Sequence, residues 1–250
     1  MSKHGKSRLE LFYMMSVGMY IPDFDTMKLF CAVSKSCKDA LHALKINPNM
    51  EDTIHYRSIM TIKERQEFFK KELAFFEKTE TLCGPFSMIS KWPEADVLKY
   101  QLFSLYFDGA GSFELFSKIQ PRITSLEYVS NGMFEGTDEM PLLKKFKAVF
   151  LPSPQDHTIA KIQKMVSGKG LKNLESFVVV CYDSVSKFFP LVKDCATAHP
   201  ECKIGVLVKG SVGEADYMKF QPYAYVLTTS PEAMFYGVIE KELRVVLSKK

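Results

Sequence analysis

A chain of 250 residues, 46% apolar and 25% charged, has the composition of a globular protein of one or two domains, which excludes a disordered or fibrous polymer. Apolar runs such as FVVVCY are far too short to span a bilayer and the start MSKHGKSRLE carries no apolar leader, so no membrane span is expected. The formal charge of +4 is modest, and Cys31, Cys37, Cys83, Cys181, Cys195 and Cys202 follow no regular pairing, which reads as reduced thiols and a cytoplasmic or nuclear location.

The first 48 residues have helical spacing. LELFYMMSVGMY repeats apolar residues three and four apart, IPDFD interrupts it, and TMKLFCAVSKSCKDALHAL resumes it with Leu29, Val33, Cys37 and Leu41 on one face and Asp25 as the N-cap. Pro48 stops the stretch. Thr61 and Glu64 form a capping box that opens TIKERQEFFKKELAFFEK, where Phe69, Leu73 and Phe76 line one side. Residues 1–78 are thus expected to form a helical module.

From about residue 79 the texture changes to short β-branched and aromatic runs. In ITSLEYVSN the apolar residues Ile123, Leu126 and Tyr128 precede Asn131, which matches the leucine-rich-repeat spacing: apolar at positions 1, 4 and 6, with a polar ladder residue at 9. Four other runs fit the apolar positions: Leu102, Leu105 and Phe107; Phe146, Val149 and Leu151; Leu174, Phe177 and Val179; Phe220, Tyr223 and Tyr225. KIGVLVKG and ELRVVLSKK have the strand without the leading apolar residue.

One such unit cannot bury its apolar strand face alone, so neighbouring strands must stack in parallel with the intervening segments forming an outer wall. The expected architecture is an α/β chain: the helical cap of residues 1–78, then a short irregular solenoid with a curved parallel sheet over residues 79–250. Strands near 105, 126, 149, 177, 206, 225 and 245 are expected to pair in chain order. The alternative is a doubly wound α/β domain, an enzyme or cofactor binder, for which DSVSKFFPLVKDCATA and SPEAMFYGVIEKEL would serve as crossover helices.

With an amphipathic first helix, a short break and a second helix ending in VSKSCKDAL, residues 9–41 resemble an F-box-like motif. Together with the repeats, the chain resembles the F-box/leucine-rich-repeat arrangement in its divergent, short-repeat protist form. The resemblance implies a helical module that docks a Skp1-type adaptor of a ubiquitin ligase, and a concave strand face that receives a protein substrate. Carried onto this sequence, the apolar docking positions are Leu11, Met14, Phe24, Leu29 and Val33. The family's Leu-Pro start is absent, and Cys37 stands where its Trp would be. Without an adaptor, the same helices would serve to cap the open end of the solenoid.

Outward strand positions give the substrate surface as Glu127, Lys147 or Ala148, Val178 and Ala224. Residues 141–172 carry seven lysines against Asp156 alone, a local charge of +6. Of these, Lys144, Lys145, Lys161 and Lys164 are candidates for an acidic partner or phosphate, though a solvated face is the expected role and nucleic acid is not the expected partner. Cys195, His199 and Cys202, with Cys181, offer zinc-ligand chemistry at a spacing that belongs to no closed site, and no metal is expected. VSGKGLK and KGSVGEAD lack phosphate-loop spacing, so no cofactor is expected. Asp183 and Ser184 follow a strand, where doubly wound enzymes keep catalytic groups. No nucleophile elbow is present, and the expected protein is a monomeric, non-catalytic recognition module.

Overall fold

The computed structural model describes residues 8–21, 23–48, 61–107, 111–130, 139–152, 154, 156–182, 185–210 and 212–229. Asn131, Asp183, Ser184 and the strand expected near residue 245 lie outside them. The chain divides into two compact units, Met1–Leu105 and Tyr106–Lys250, and the expected boundary at 78/79 falls within the first.

The first unit opens with three helices, α1 (Arg8–Gly18), α2 (Phe24–Val33) and α3 (Lys35–His42). The single long helix expected over residues 26–44 is two helices. Ser34 has extended backbone, ends α2, and accepts from the Cys37 N–H at 3.1 Å to start α3, so it caps both. The break separates the expected apolar face: Cys37 and Leu41 are buried, whereas Leu29 and Val33 are exposed. The N-cap of α2 is Asp23, whose carboxylate accepts from the Thr26 N–H at 2.8 Å and is held below the usual carboxylate range by its bonds to the Thr26 side chain and backbone. Asp25 lies in the first turn and pairs with Lys28 instead.

α4 (Ile62–Leu73) starts at the expected Thr61/Glu64 capping box and buries Phe69, Leu73 and Phe76 at and beyond its C-terminal end. Strand β1 (Thr81–Pro85), the short helices α5 (Phe86–Ile89) and α6 (Glu94–Leu98), and the start of β2 (Leu102–Phe107) complete the unit. Gly84 of β1 is there for space, because a Cβ at that position would lie 2.5 Å from the Phe69 ring.

Before β1 the chain makes a parallel bridge, Ile46 to Thr81, and Asn47 then brackets the backbone of Cys83. Its Oδ1 accepts from the Cys83 N–H and its Nδ2 donates to the Cys83 carbonyl, both at 2.7 Å, with Asn47 wholly buried. Asn47→Ala removes both of these bonds to the Cys83 backbone, at about 1–3 kcal/mol. The melting temperature should therefore fall by roughly 3–10 °C, and an unchanged melt would show that these two bonds contribute nothing.

The second unit holds the rest of β2, α7 (Phe113–Ile119), a 3-10 turn (Gln120–Arg122), β3 (Ile123–Val129), β4 (Lys145–Phe150), α8 (Asp156–Ser167), β5 (Ser176–Cys181), a second 3-10 turn (Val185–Phe188), α9 (Phe189–Ala198), β6 (Lys203–Lys209), α10 (Glu214–Phe220) and β7 (Tyr225–Thr229). Among the described residues the sheet has seven strands in the order β1-β2-β3-β4-β5-β6-β7, and β3 to β7 pair in parallel, each with its chain neighbour. A doubly wound sheet needs a reversal in strand order, and this order has none. Right-handed crossovers that always step in one direction place every connecting helix on the same face. Accordingly α8 packs on α9 and α9 on α10.

The register stacks Leu126, Phe146, Phe177 and Ile204 in one row and Tyr128, Ala148, Val179 and Val206 in the next, all buried. The rings of Phe146 and Phe177 stack at 5.4 Å, and Phe150 meets Phe188 of the second 3-10 turn at 4.7 Å, so these rows face the helices. The repeat pattern over β4 therefore begins at buried Leu143, three residues before the expected Phe146. In β7 the stacked residue is Val226 rather than Tyr225.

Tyr128 is fully buried in this layer, and the loss of water pushes its phenol up to about 12 from an ordinary 10. The unfolded chain releases that proton near pH 10 and the folded chain only near 12, so its contribution is whole below pH 10 and is lost as pH rises between the two values. Tyr128→Phe should remove roughly 2 kcal/mol of the stability loss between pH 10 and 12, as read by urea titration at several alkaline pH values. Equal alkaline slopes in both proteins would refute the assignment.

Candidate functional site

Among the described residues the sheet face away from the helices includes three long cross-strand rows in the second unit, with the pair Lys209 and Thr229 beyond them. Nearest the strand starts lie Ser125, Lys145, Ser176 and Lys203. The middle row is Glu127, Lys147, Val178, Gly205 and Tyr225. Towards the strand ends lie Val129, Val149, Val180, Leu207 and Leu227. Because successive side chains of a strand alternate between faces, odd positions of β3 from Ser125 onward and of β4 carry this surface and even positions carry the core, while Ile123 at the start of β3 is itself buried.

Three of the expected substrate-facing residues, Glu127, Lys147 and Val178, share the middle row. Ala148 sits in the helix-facing core and Ala224 falls one residue short of the row, where Tyr225 stands. Glu127 and Lys147 form an ion pair at 2.8 Å with both side chains about four-fifths covered. The third row is an apolar strip: Val149, Val180 and Leu207 are almost fully buried, with Tyr106, Leu151, Tyr182 and Leu227 packed against them. Lys209 places its ammonium 5.2 Å from the Tyr182 ring centre. This face of the sheet thus grades from exposed lysines through a paired charge to a buried apolar strip flanked by tyrosines. Tyr106, Tyr182 and Tyr225 were not anticipated from sequence, although aromatic residues beside an outward strand position are the signal that marks them.

The lysine cluster does not form one patch. Lys144 pairs with Glu175 at 2.9 Å, Lys145 and Lys147 project from β4, and Lys161 and Lys164 belong to α8 in the helix layer. The histidine of the cysteine-rich loop is committed to backbone, its Nε2 lying 2.9 Å from the Val166 carbonyl. Among the described residues no three His, Cys, Asp or Glu side chains are arranged to hold a metal ion.

The first unit carries a second surface. On α1 and α2 the large apolar side chains Leu11, Phe12, Tyr13, Val17, Leu29 and Val33 are exposed, Leu29 at 69% and Val33 at 75%. Of the expected docking positions, Leu11, Leu29 and Val33 therefore face solvent. Met14 is half-buried, and Phe24 is half-buried edge-on against Phe75 at 5.6 Å. Phe12, Tyr13 and Val17 add to the surface beyond the expected set. Among the described residues no helix is long and apolar enough to cross a membrane. Compared with known proteins, the chain matches no family model, no curated protein and no solved structure.

Proposed function

We propose that this chain is a non-catalytic recognition protein of the F-box/leucine-rich-repeat kind, in which α1 and α2 dock a Skp1-type adaptor and the sheet surface of the second unit receives a protein substrate. The observation that carries the reading is the set of exposed apolar side chains on α1 and α2. Large apolar side chains left exposed on a folded chain are candidates for an interaction site, and here they include three of the five positions that the family resemblance picks out. The uninterrupted strand order supports a repeat architecture over a doubly wound one, since it leaves no switch-point crevice for a cofactor. The middle row with its covered ion pair, beside tyrosines and an apolar strip, has the mixed character of a recognition surface.

The test is affinity purification of the tagged full chain with proteomic identification. A Skp1-type protein together with a cullin is the expected catch, and the absence of both sinks the ligase role.

A further inference from the structure

The row at the strand starts, on the sheet face of the second unit, differs in kind from the rows beyond it. Ser125, Lys145, Ser176 and Lys203 stand side by side on β3, β4, β5 and β6, with both lysines exposed and both serines half-buried. Every side chain in this row can donate a hydrogen bond and none carries negative charge. The middle row is neutral in itself, because Glu127 meets Lys147 at 2.8 Å, and Glu175, next to Ser176, is engaged by Lys144 at 2.9 Å. The third row is apolar and buried. Exposed positive charge on this face therefore gathers at the strand starts, where it joins Lys145 of the lysine-rich stretch to Lys203 from outside it.

We propose that this row binds an acidic segment of a partner protein, an extended stretch with two carboxylates two residues apart, laid across the strands. The inference rests on reading this face as the one that receives a protein substrate. Neighbouring strands lie about 4.8 Å apart, so Lys145 and Lys203, with Ser176 between them, are anchored roughly 10 Å from each other. Side chains two residues apart in an extended chain share one face and lie about 7 Å apart. The flexible lysine arms close the difference. Each ammonium meets one carboxylate, and the Ser176 hydroxyl donates to a carboxylate oxygen between them. The intervening serine has a purpose here, since two lysines directly opposite on adjacent strands would repel each other in the free protein. A neutral or basic segment gains nothing from the row, so the charge selects the partner.

The probe is the synthetic peptide acetyl-Gly-Glu-Ala-Glu-Gly-amide, titrated at low salt into the isotope-labelled full chain with backbone amide NMR shifts as the readout. Saturable shifts are expected at Lys145, Ser176 and Lys203, and none with the peptide that carries Gln in place of both Glu. Lys145→Gln or Lys203→Gln should each weaken binding by up to roughly fivefold, as for an exposed ion pair. The double variant should show no saturable shift while its other amides match the wild type, because surface changes of this kind leave the fold intact. Ser125→Asp, which sets a carboxylate beside Lys145, should weaken binding as well. Wild-type binding by the double variant, shifts spread over other lysines, or equal binding of a peptide with a single Glu would overturn the proposal. Tighter binding of acetyl-Gly-Ala-phosphoserine-Ala-Gly-amide would overturn it too, in favour of a phosphate site. The titration contains no adaptor, so adaptor retention without this binding removes only the acidic-segment assignment, and this binding without an adaptor removes only the ligase role.

Discussion

Leu126→Asp is expected to abolish the cooperative melt of the protein. Leu126 lies in the middle of β3, 1% exposed, opposite Phe146 and one step from buried Tyr128. Its row neighbours Phe146, Phe177 and Ile204 are apolar and buried, and none of them is a cation that could meet a carboxylate. Truncating a buried leucine alone costs about 2–5 kcal/mol, and burying an unpaired charge adds several more. The sum approaches the whole stability of an ordinary domain, about 5–15 kcal/mol. Two controls separate the effects. Leu126→Ala should stay folded with a lowered melting temperature, and Ser125→Asp, one residue away on the opposite face and beside Lys145, should be tolerated. A cooperative transition retained at the wild-type temperature in Leu126→Asp would show that the side chain is not in the core.

That contrast between adjacent residues also explains what could be read from the sequence. The spacing of Leu126 and Tyr128 locates β3 and its inward face because Ser125 and Glu127 alternate cleanly with them, and Ile123, buried at the strand start, lies three residues before Leu126, ahead of that alternation. In β4 and β7 the alternation is blurred. Val149 and Leu227 are apolar on the face away from the helices, where they belong to the buried strip, so AVFL reads as apolar throughout and its register slips by three residues. Ala224 in place of Tyr225 is the same error, by one residue. Strand β1 was not legible, since TLCGP contains a glycine needed for the Phe69 ring and a proline. The apolar face of the N-terminal helices was misjudged for a local reason. Helical periodicity runs through Ser34, but the serine caps a new helix there, so residues that share a face on paper separate into buried Cys37 and exposed Leu29.

The same break supplies the sharpest test of adaptor docking. Leu29→Lys with Val33→Lys changes two side chains at opposite ends of one turn of α2, both mostly in solvent, so neither substitution removes a packed contact or buries a charge. Surface changes of this kind usually alter stability by less than about 0.5 kcal/mol each, and circular dichroism and melting temperature should match the wild type. At an interface the outcome differs. Two ammonium groups set against an apolar partner surface must be desolvated without compensation, and an apolar anchor of this type contributes about 2 kcal/mol or more when it is central. Losing two such anchors weakens binding by roughly a thousandfold, because each 1.4 kcal/mol is tenfold. The adaptor should then vanish from the affinity purification while the folded chain is recovered in full. Phe24→Lys makes the informative comparison, since Phe24 packs edge-on against Phe75 and its loss should disturb folding together with binding. If the double variant still retains the adaptor at wild-type yield, α2 is not the docking helix; if it fails to fold, these side chains serve to cap the repeat and not to bind a partner.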